Sequence, residues 1–162
     1  MRLLNTTSIH PDLLAAQQYT YEPNGLQIKN VQQEKESHEY AACTFQLNGK
    51  MIQFRVAKIT PTKAGLFVTL WKRSESGPIM PYDLNDSFDL VVVSVRDVKH
   101  FGQFVFPKNV LYERSFVSKE GIGGKRAMRV YPPWTNADNK QAKIYNPLTL
   151  KDYFNEVEIQ YK

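Results

Sequence analysis

The chain lacks the residue patterns that carry most hydrolytic and metal chemistry. It has one cysteine, Cys43, among 162 residues, which excludes an intramolecular disulfide and a cysteine-rich zinc site. No Gly-x-Ser-x-Gly elbow of a serine hydrolase is present. The three histidines, His10, His38 and His100, are isolated and show no metal-ligand spacing. The sequence therefore offers no recognised nucleophile or transition-metal motif.

Long apolar runs are also missing. No stretch reaches the roughly 18 apolar residues that span a bilayer, and the N-terminus lacks the apolar core of a secretion signal. We therefore expect a cytoplasmic protein that does not enter a membrane. The hydrophobic fraction of 42% and the charged fraction of 23% are ordinary for a globular protein. The length predicts a single domain over residues 1–162, with residues 1–9 as a loose arm.

Acidic residues are absent from the most basic stretch of the chain, KMIQFRVAKITPTKAGLFVTLWKR. This stretch runs from Lys50 to Arg73 and holds six lysines and arginines. Its two apolar, β-branched and aromatic runs predict strands, and the Thr60–Gly65 break between them predicts a turn. The result is a cationic strand pair with a cationic loop. Together with a net charge of +5, it favours an anionic partner.

The preceding segment extends this strand pair. Residues 39–47 alternate apolar and polar side chains and end at Asn48-Gly49, a strong hairpin signal. We therefore predict a three-stranded antiparallel meander from about residue 40 to residue 72. Upstream, a helix is predicted over Pro11–Tyr21 and a short strand over Leu26–Val31.

Downstream, Phe88–Val95 is a continuous apolar run typical of a central strand buried on both faces. Such a strand requires cover on both faces, which we predict to be helical. The fold class is therefore α/β, with a mixed central sheet flanked by helices. The remaining predicted elements are a strand over His100–Phe106, a helix over Pro107–Arg114, a strand over Lys125–Tyr131 and a C-terminal helix over Pro147–Val157.

A glycine-rich loop, Gly121–Gly124, leads into further cations. It matches neither a P-loop nor a dinucleotide fingerprint, because Arg126 stands where the first motif needs Ser or Thr and the second needs Gly. Exposed backbone amides beside Lys125, Arg126 and Arg129 would still suit an anion. A small phosphorylated ligand near this loop therefore stays open as an alternative.

Three aspartates precede the long apolar strand. Asp83, Asp86 and Asp89 lie close together in sequence but lack the glycine and the closing glutamate of a calcium loop. Turn capping explains them better than a metal site does.

Aromatic residues alternate with the cations, a pattern that single-strand binders use to stack bases. We predict that Phe54, Phe67 and Phe104 belong to the core. Trp134, which follows two prolines in a polar segment, is the best candidate for an exposed ring.

Four motifs in fixed order resemble the MepB family of small bacterial proteins. They are FRVAKITPTKAGLFVTLWKR, GPIMPYDLNDSFDLVVVSV, GQFVFPKNVL and GGKRAMRVYPPW, and the resemblance covers about residues 39 to 142. It implies a restriction-endonuclease-like fold of the PD-(D/E)XK type, with a mixed sheet and a helix packed on each side.

The nuclease resemblance also implies where a site would lie. In that fold, neighbouring strands supply an acid and then an acid-x-Lys set that bind a divalent metal. Here the predicted strands offer no acid at those positions, and Lys72 follows Leu70 rather than a glutamate. The candidates that remain for catalysis are Glu39, Lys58, Lys72 and Asp89.

Two hypotheses follow. The favoured one is a non-catalytic nuclease-like domain that needs no cofactor and binds DNA, RNA or another polyanion through a basic face. Its predicted residues are Arg55, Lys58, Lys63, Lys72, Arg73, Lys125, Arg126, Arg129 and Trp134. The alternative is an Mg-dependent nuclease.

Overall fold

The computed structural model describes residues 9–135 and 154–156. Its largest element is a six-stranded mixed sheet, in which the strands Lys50–Val56 and Leu90–Arg96 pair in parallel and the other neighbours pair antiparallel. In spatial order the strands are β1 (Ile28–Gln33), β2 (Cys43–Leu47), β3 (Lys50–Val56), β8 (Leu90–Arg96), β9 (Phe101–Pro107) and β11 (Phe154–Glu156).

Two smaller sheets accompany it. One has three antiparallel strands in the order β10 (Ala127–Val130), β5 (Leu66–Thr69) and β4 (Lys58–Ile59). The other is a ribbon of β6 (Lys72–Arg73) and β7 (Ile79–Met80).

Two short α-helices complete the described chain. The first, α1 (Pro11–Ala16), starts where the His10 side chain accepts the Asp12 N–H, and it continues through a π-helical turn. A 3-10 turn, Glu22–Asn24, follows, and Gly25 ends it with a φ of 74°. The second helix, α2 (Lys108–Glu113), begins after Pro107. Within the described ranges, neither helix has the length and apolarity that crossing a bilayer requires.

Local turn chemistry fixes the meander of β1, β2 and β3. Asn48 and Gly49 both have positive φ, at 51° and 79°, as the predicted two-residue hairpin requires. At the outer edge, the register of β1 against β2 shifts between Lys29 and Gln32, where Asn30 has a φ of 56°. This shift is a β-bulge in the edge strand.

The large sheet buries both of its faces. On one face, Phe45, Phe54 and Val92 pack against Leu13 and Ala16 of α1. On the other face, alternate residues of β8 pack with the second sheet and α2. They belong to one cluster that includes Val91, Val93, Leu66, Val68 and Leu111.

The predicted α/β class with a mixed central sheet is confirmed, since a helix, a three-strand meander, a buried strand and a second helix follow one another in that order. Two details of the prediction are wrong. The third strand of the meander is β3, and the Leu66–Thr69 strand belongs to a separate sheet because β3 is already paired with β2 and β8. The second face of the large sheet is covered mainly by that separate sheet rather than by a helix.

The predicted C-terminal helix fares differently along its length. Its residues 154–156 form β11, which pairs with β9, so the helix is wrong there. The rest of that prediction, and the predicted arm over residues 1–8, lie outside the described residues.

Candidate nucleic-acid interface

The outer face of the second sheet carries a row of cations and rings. Lys58 of β4 pairs with Phe67 of β5, and Phe67 pairs with Arg129 of β10. Residues directly opposite each other in a sheet point to the same face. The neighbouring positions Val68 and Met128 are buried in the core, so the row must face outward.

Tyr40, from the 3-10 turn His38–Tyr40, joins this row. The Lys58 ammonium lies 5.2 Å from the Tyr40 ring centroid, and the Arg129 guanidinium carbon lies 5.7 Å from the Phe67 centroid. The two rings meet edge to face at 6.2 Å. We call Lys58, Tyr40, Phe67 and Arg129 the cation–aromatic strip. Its cations lie within cation–π distance of its rings.

The β4–β5 turn holds Arg129 in place. Arg129 Nη1 donates to Thr60 Oγ1 at 2.9 Å and to the Ala64 carbonyl at 3.2 Å. Gly65 closes this turn with a φ of 76°, and a Cβ there would lie 2.7 Å from the Tyr131 ring. Only glycine fits such a position without strain. Lys63, at the tip of the same turn, is exposed.

A polar cleft lies beyond Thr69 on the same outward face. Thr69 Oγ1 lies 3.4 Å from Ser37 Oγ, and Trp71 is the next outward position. The cleft has a volume of about 140 Å³ and is lined by Glu34, Lys35, Glu36, Ser37, Trp71, Lys72, Arg73 and Tyr82.

Two ion pairs involve cations of this cleft. Arg73 binds Glu36 with Nε and Nη2, the shortest distance being 2.7 Å, and its guanidinium carbon lies 5.7 Å from the Trp71 ring centroid. Hydrogen bonding to Arg73 holds the pKa of Glu36 below its usual value. Lys72 binds Asp86 at 2.7 Å. The structure therefore places Lys72 and Arg73 at the cleft, each with a carboxylate partner.

Arg55 lies inside the protein rather than on a face. Its side chain is 0% exposed, and it donates to Glu34 Oε2 at 3.3 Å, to the Phe54 carbonyl at 2.9 Å and to the Tyr82 hydroxyl at 3.3 Å. The Tyr82 hydroxyl in turn donates to Gln53 Oε1. Arg55 Nε has no hydrogen-bond partner among the described residues. Its predicted place on an exposed basic face is at odds with this burial, because Arg55 neutralises Glu34 within the protein.

The metal site that a nuclease fold implies does not fit these residues. The meander strands β2 and β3 contain no aspartate or glutamate, and the polar residues of β3 that share the Arg55 side are an amide, Gln53, and the guanidinium itself. The fixed cation Arg55 lies beside the Glu34 carboxylate and repels a divalent ion. Within residues 9–135 and 154–156, no three His, Cys, Asp or Glu side chains gather as a metal site needs.

The four catalytic candidates have separate surroundings. Glu39 is exposed in the 3-10 turn, and Asp89 accepts the Met51 N–H at the start of β3. Lys58 is exposed beyond the other end of β3, and Lys72 is paired with Asp86.

The glycine-rich loop binds a carboxylate of this chain. Asp83 Oδ1 accepts the Ser118 hydroxyl at 2.7 Å and the Gly121 N–H at 3.1 Å, and Oδ2 accepts the Asn85 N–H. The N–H groups of Asn85 and Gly121, followed by the Ser118 hydroxyl, lower the pKa of Asp83. The first amide of the loop is thus used internally, as the predicted capping role of the aspartates suggests.

The cations after this loop do not all share the strip. Lys125 is exposed and its ammonium lies 5.3 Å from the Phe116 centroid. Arg126 is exposed at the end of the β10–β5 ladder, where its carbonyl accepts the Leu70 N–H. Of the three predicted cations here, Arg129 alone lies in the strip.

Trp134 is packed rather than exposed. Its ring stacks on His100 at 4.7 Å with an interplanar angle of 11° and meets Phe154 edge to face at 5.4 Å. Two rings that do face outward on the second sheet are Tyr40, which no predicted site includes, and Phe67, which was predicted to belong to the core. The alternation of Leu66, Phe67, Val68 and Thr69 was the available signal, because it puts Phe67 opposite the buried positions.

Comparison with known proteins identifies the family. A family model described as MepB-like matches residues 34–156, about three quarters of the chain. The chain belongs to the MepB-like family. A crystal structure of MepB superimposes with a TM-score of 0.78 at 32% identity, covering 93% of this chain and 99% of that one.

A second solved structure shows a more distant likeness. The bacterial homing endonuclease I-Ssp6803I aligns with a TM-score of 0.47 at 15% identity, over 87% of both chains. No curated protein matches the sequence.

Proposed function

We propose that this MepB-like protein binds nucleic acid through the cation–aromatic strip. The observation that carries the proposal is the cross-strand row of Lys58, Phe67 and Arg129, with Tyr40 packed against it. Cations on an exposed sheet bind phosphates, and rings on the same sheet stack on bases.

The strip favours unpaired strands over duplex. Base stacking on a protein ring contributes about 1–3 kcal/mol per base but requires a base that is free of the helix. Cations alone would bind both forms, so the preference depends on Tyr40 and Phe67. The proposed contacts to phosphate come from Lys58, Arg129 and the exposed Lys63.

The test is a fluorescence-anisotropy titration of labelled single-stranded DNA, duplex DNA and RNA over a series of salt concentrations. Three phosphate contacts to a single strand predict that log K falls with log salt at a slope of about −2. The double variant Lys58→Ala/Arg129→Ala is expected to weaken binding to every sequence and to remove most of that slope.

A matched control sharpens this test. Lys29 and Lys50 are exposed on β1 and at the start of β3 in the large sheet, and Lys29→Ala/Lys50→Ala removes the same number of charges away from the strip. Equal losses in the control and in the double variant would contradict the proposal, because binding would then depend on net charge alone.

Each titration is repeated with Mg and followed on a gel. Metal-dependent cleavage that is lost in Glu39→Ala or Asp89→Ala would favour the nuclease alternative. Saturable binding of a small phosphorylated compound, without binding of any polymer, would favour a site near the glycine-rich loop.

A further inference from the structure

The outward face of β5 continues past the end of that strand into the cleft. Leu66, Val68 and Leu70 are 6%, 1% and 2% exposed, whereas the residues between them are half-buried. Phe67 and Trp71 therefore point to the same side. At the rise of an extended strand, roughly 3.3 Å per residue, they lie about 13 Å apart.

The size of the cleft restricts what it accepts. Its volume of about 140 Å³ is more than four times the roughly 30 Å³ that one water takes in the liquid. A cleft of this volume has room for one flat heterocyclic ring.

The side chains that line the cleft also suit a nucleobase. Trp71 supplies an aromatic face, while the Tyr82 hydroxyl, the Glu34 carboxylate and Ser37 supply donors and acceptors. The edge of a nucleobase carries both kinds of hydrogen-bonding group.

Arg73, which forms an ion pair with Glu36, is the side chain of the cleft that can bind a phosphate. Both side chains are close to half exposed, at 48% and 41%, so the pair is held weakly against water. A phosphate matches the bidentate geometry of a guanidinium as well as a carboxylate does. It can therefore exchange with Glu36 beside the Trp71 ring.

We propose that the cleft binds one unpaired nucleotide, with its base against Trp71 and its phosphate on Arg73 in place of Glu36. This rests on the proposed function, because the strip then holds the adjoining nucleotides. Arg55, beneath Glu34, donates hydrogen bonds that hold the Glu34 carboxylate in the wall of the cleft.

The experiment follows the fluorescence of Trp71. The protein has two tryptophans, so Trp134→Phe leaves Trp71 as the sole indole and Trp71→Phe is the matched control. A mixed-sequence single-stranded octanucleotide is expected to quench the first variant saturably and to leave the second unchanged. Affinity measured by anisotropy is expected to fall about five- to hundredfold in Trp71→Ala, the range that stacking energies give.

A variant that is expected to tighten binding excludes misfolding as the cause of the effect. Glu36→Gln removes the carboxylate that competes with phosphate while keeping the size of the side chain, so binding is expected to tighten several-fold. Misfolding cannot produce that gain. Unchanged or weaker binding in Glu36→Gln would overturn the exchange of Glu36 for phosphate.

Failure of this inference differs from failure of the proposed function. Loss of binding in Lys58→Ala/Arg129→Ala, with no quenching of Trp71 and no effect of Trp71→Ala, would overturn the cleft and leave the strip intact. Absence of binding to every oligonucleotide would overturn the proposed function. The cleft would then stand only if adenosine monophosphate alone quenched Trp71.

Discussion

Arg55 and Arg129 occupy regions with opposite properties, although both lie in strands of alternating pattern. Arg55 is fully buried beside Glu34 and Tyr82, between the large sheet and the segments that cover it. Arg129 lies on the outer face of the second sheet, over Phe67. The same side chain thus serves as an internal counter-ion in one region and as part of a surface in the other. The role of each arginine follows from the sheet to which its strand belongs.

The largest expected effect is on the free energy of unfolding, and it comes from removing the buried arginine. Arg55→Met removes the buried cation and leaves Glu34 without its partner. Removing one partner of a buried ion pair costs about 3–5 kcal/mol of stability. We expect the lower end, near 3 kcal/mol, because the Glu34 side chain is 24% exposed. Urea unfolding measures it. A change below about 1 kcal/mol would mean that the buried pair contributes little.

Asp83 extends the comparison to a second internal charge. Asp83→Asn is expected to cost about 1–3 kcal/mol, since a carboxylate that accepts from Ser118, Gly121 and Asn85 is lost. The exposed Glu113 of α2 provides the control, Glu113→Gln.

The same variant has a pH signature. The pKa of Asp83 is lowered in the folded protein from an ordinary 3.8. The contribution of Asp83 to the free energy of unfolding is therefore complete above pH 3.8. It is lost as the pH falls through the lower pKa that Asp83 has in the folded protein. Unfolding followed from pH 6 to pH 2 should show this loss in the wild type and lack it in Asp83→Asn. Parallel curves would contradict the assignment.

A double-mutant cycle gives a smaller effect. Replacing both partners, in Glu34→Gln/Arg55→Met, removes the unpaired charge that the single variant leaves. We expect the double variant to recover about 1 kcal/mol relative to Arg55→Met. A double variant that is less stable than the single one would show that Glu34 has stabilising contacts besides Arg55.

The smallest expected change in stability belongs to the strip. Lys58→Met should alter the free energy of unfolding by no more than about 0.5 kcal/mol, because Lys58 is exposed. Its effect on oligonucleotide affinity should be the larger one. A loss of stability comparable to that of Arg55→Met would mean that Lys58 has a structural role.

The sequence predicts local elements of this fold well. The Asn48-Gly49 hairpin, the buried strand β8 and the start of α2 after Pro107 follow from turn chemistry, apolar runs and the fixed φ of proline. These signals act over a few residues, so the rest of the chain does not change them.

Strand pairing was the part that sequence could not decide. β3 could pair in sequence order with the Leu66–Thr69 strand or in parallel with β8, and both partners are apolar. The choice depends on contacts between residues about 40 apart in the chain, such as Arg55 with Val93. A prediction that pairs the Leu66–Thr69 strand with β3 places Arg55 on an exposed face and Phe67 in the core, whereas Arg55 is buried and Phe67 lies on the outer face of a separate sheet.

The bulge at Asn30 makes the β1 edge of the large sheet a poor template for pairing with a strand of another molecule. β1 is an edge strand of the large sheet, and a straight, regular edge is a template on which a strand from another molecule can pair. The register shift and the positive φ of Asn30 twist this edge, and the exposed Lys29 adds a charge that opposes a second strand. One irregular residue therefore protects the large sheet from intermolecular growth at its β1 edge.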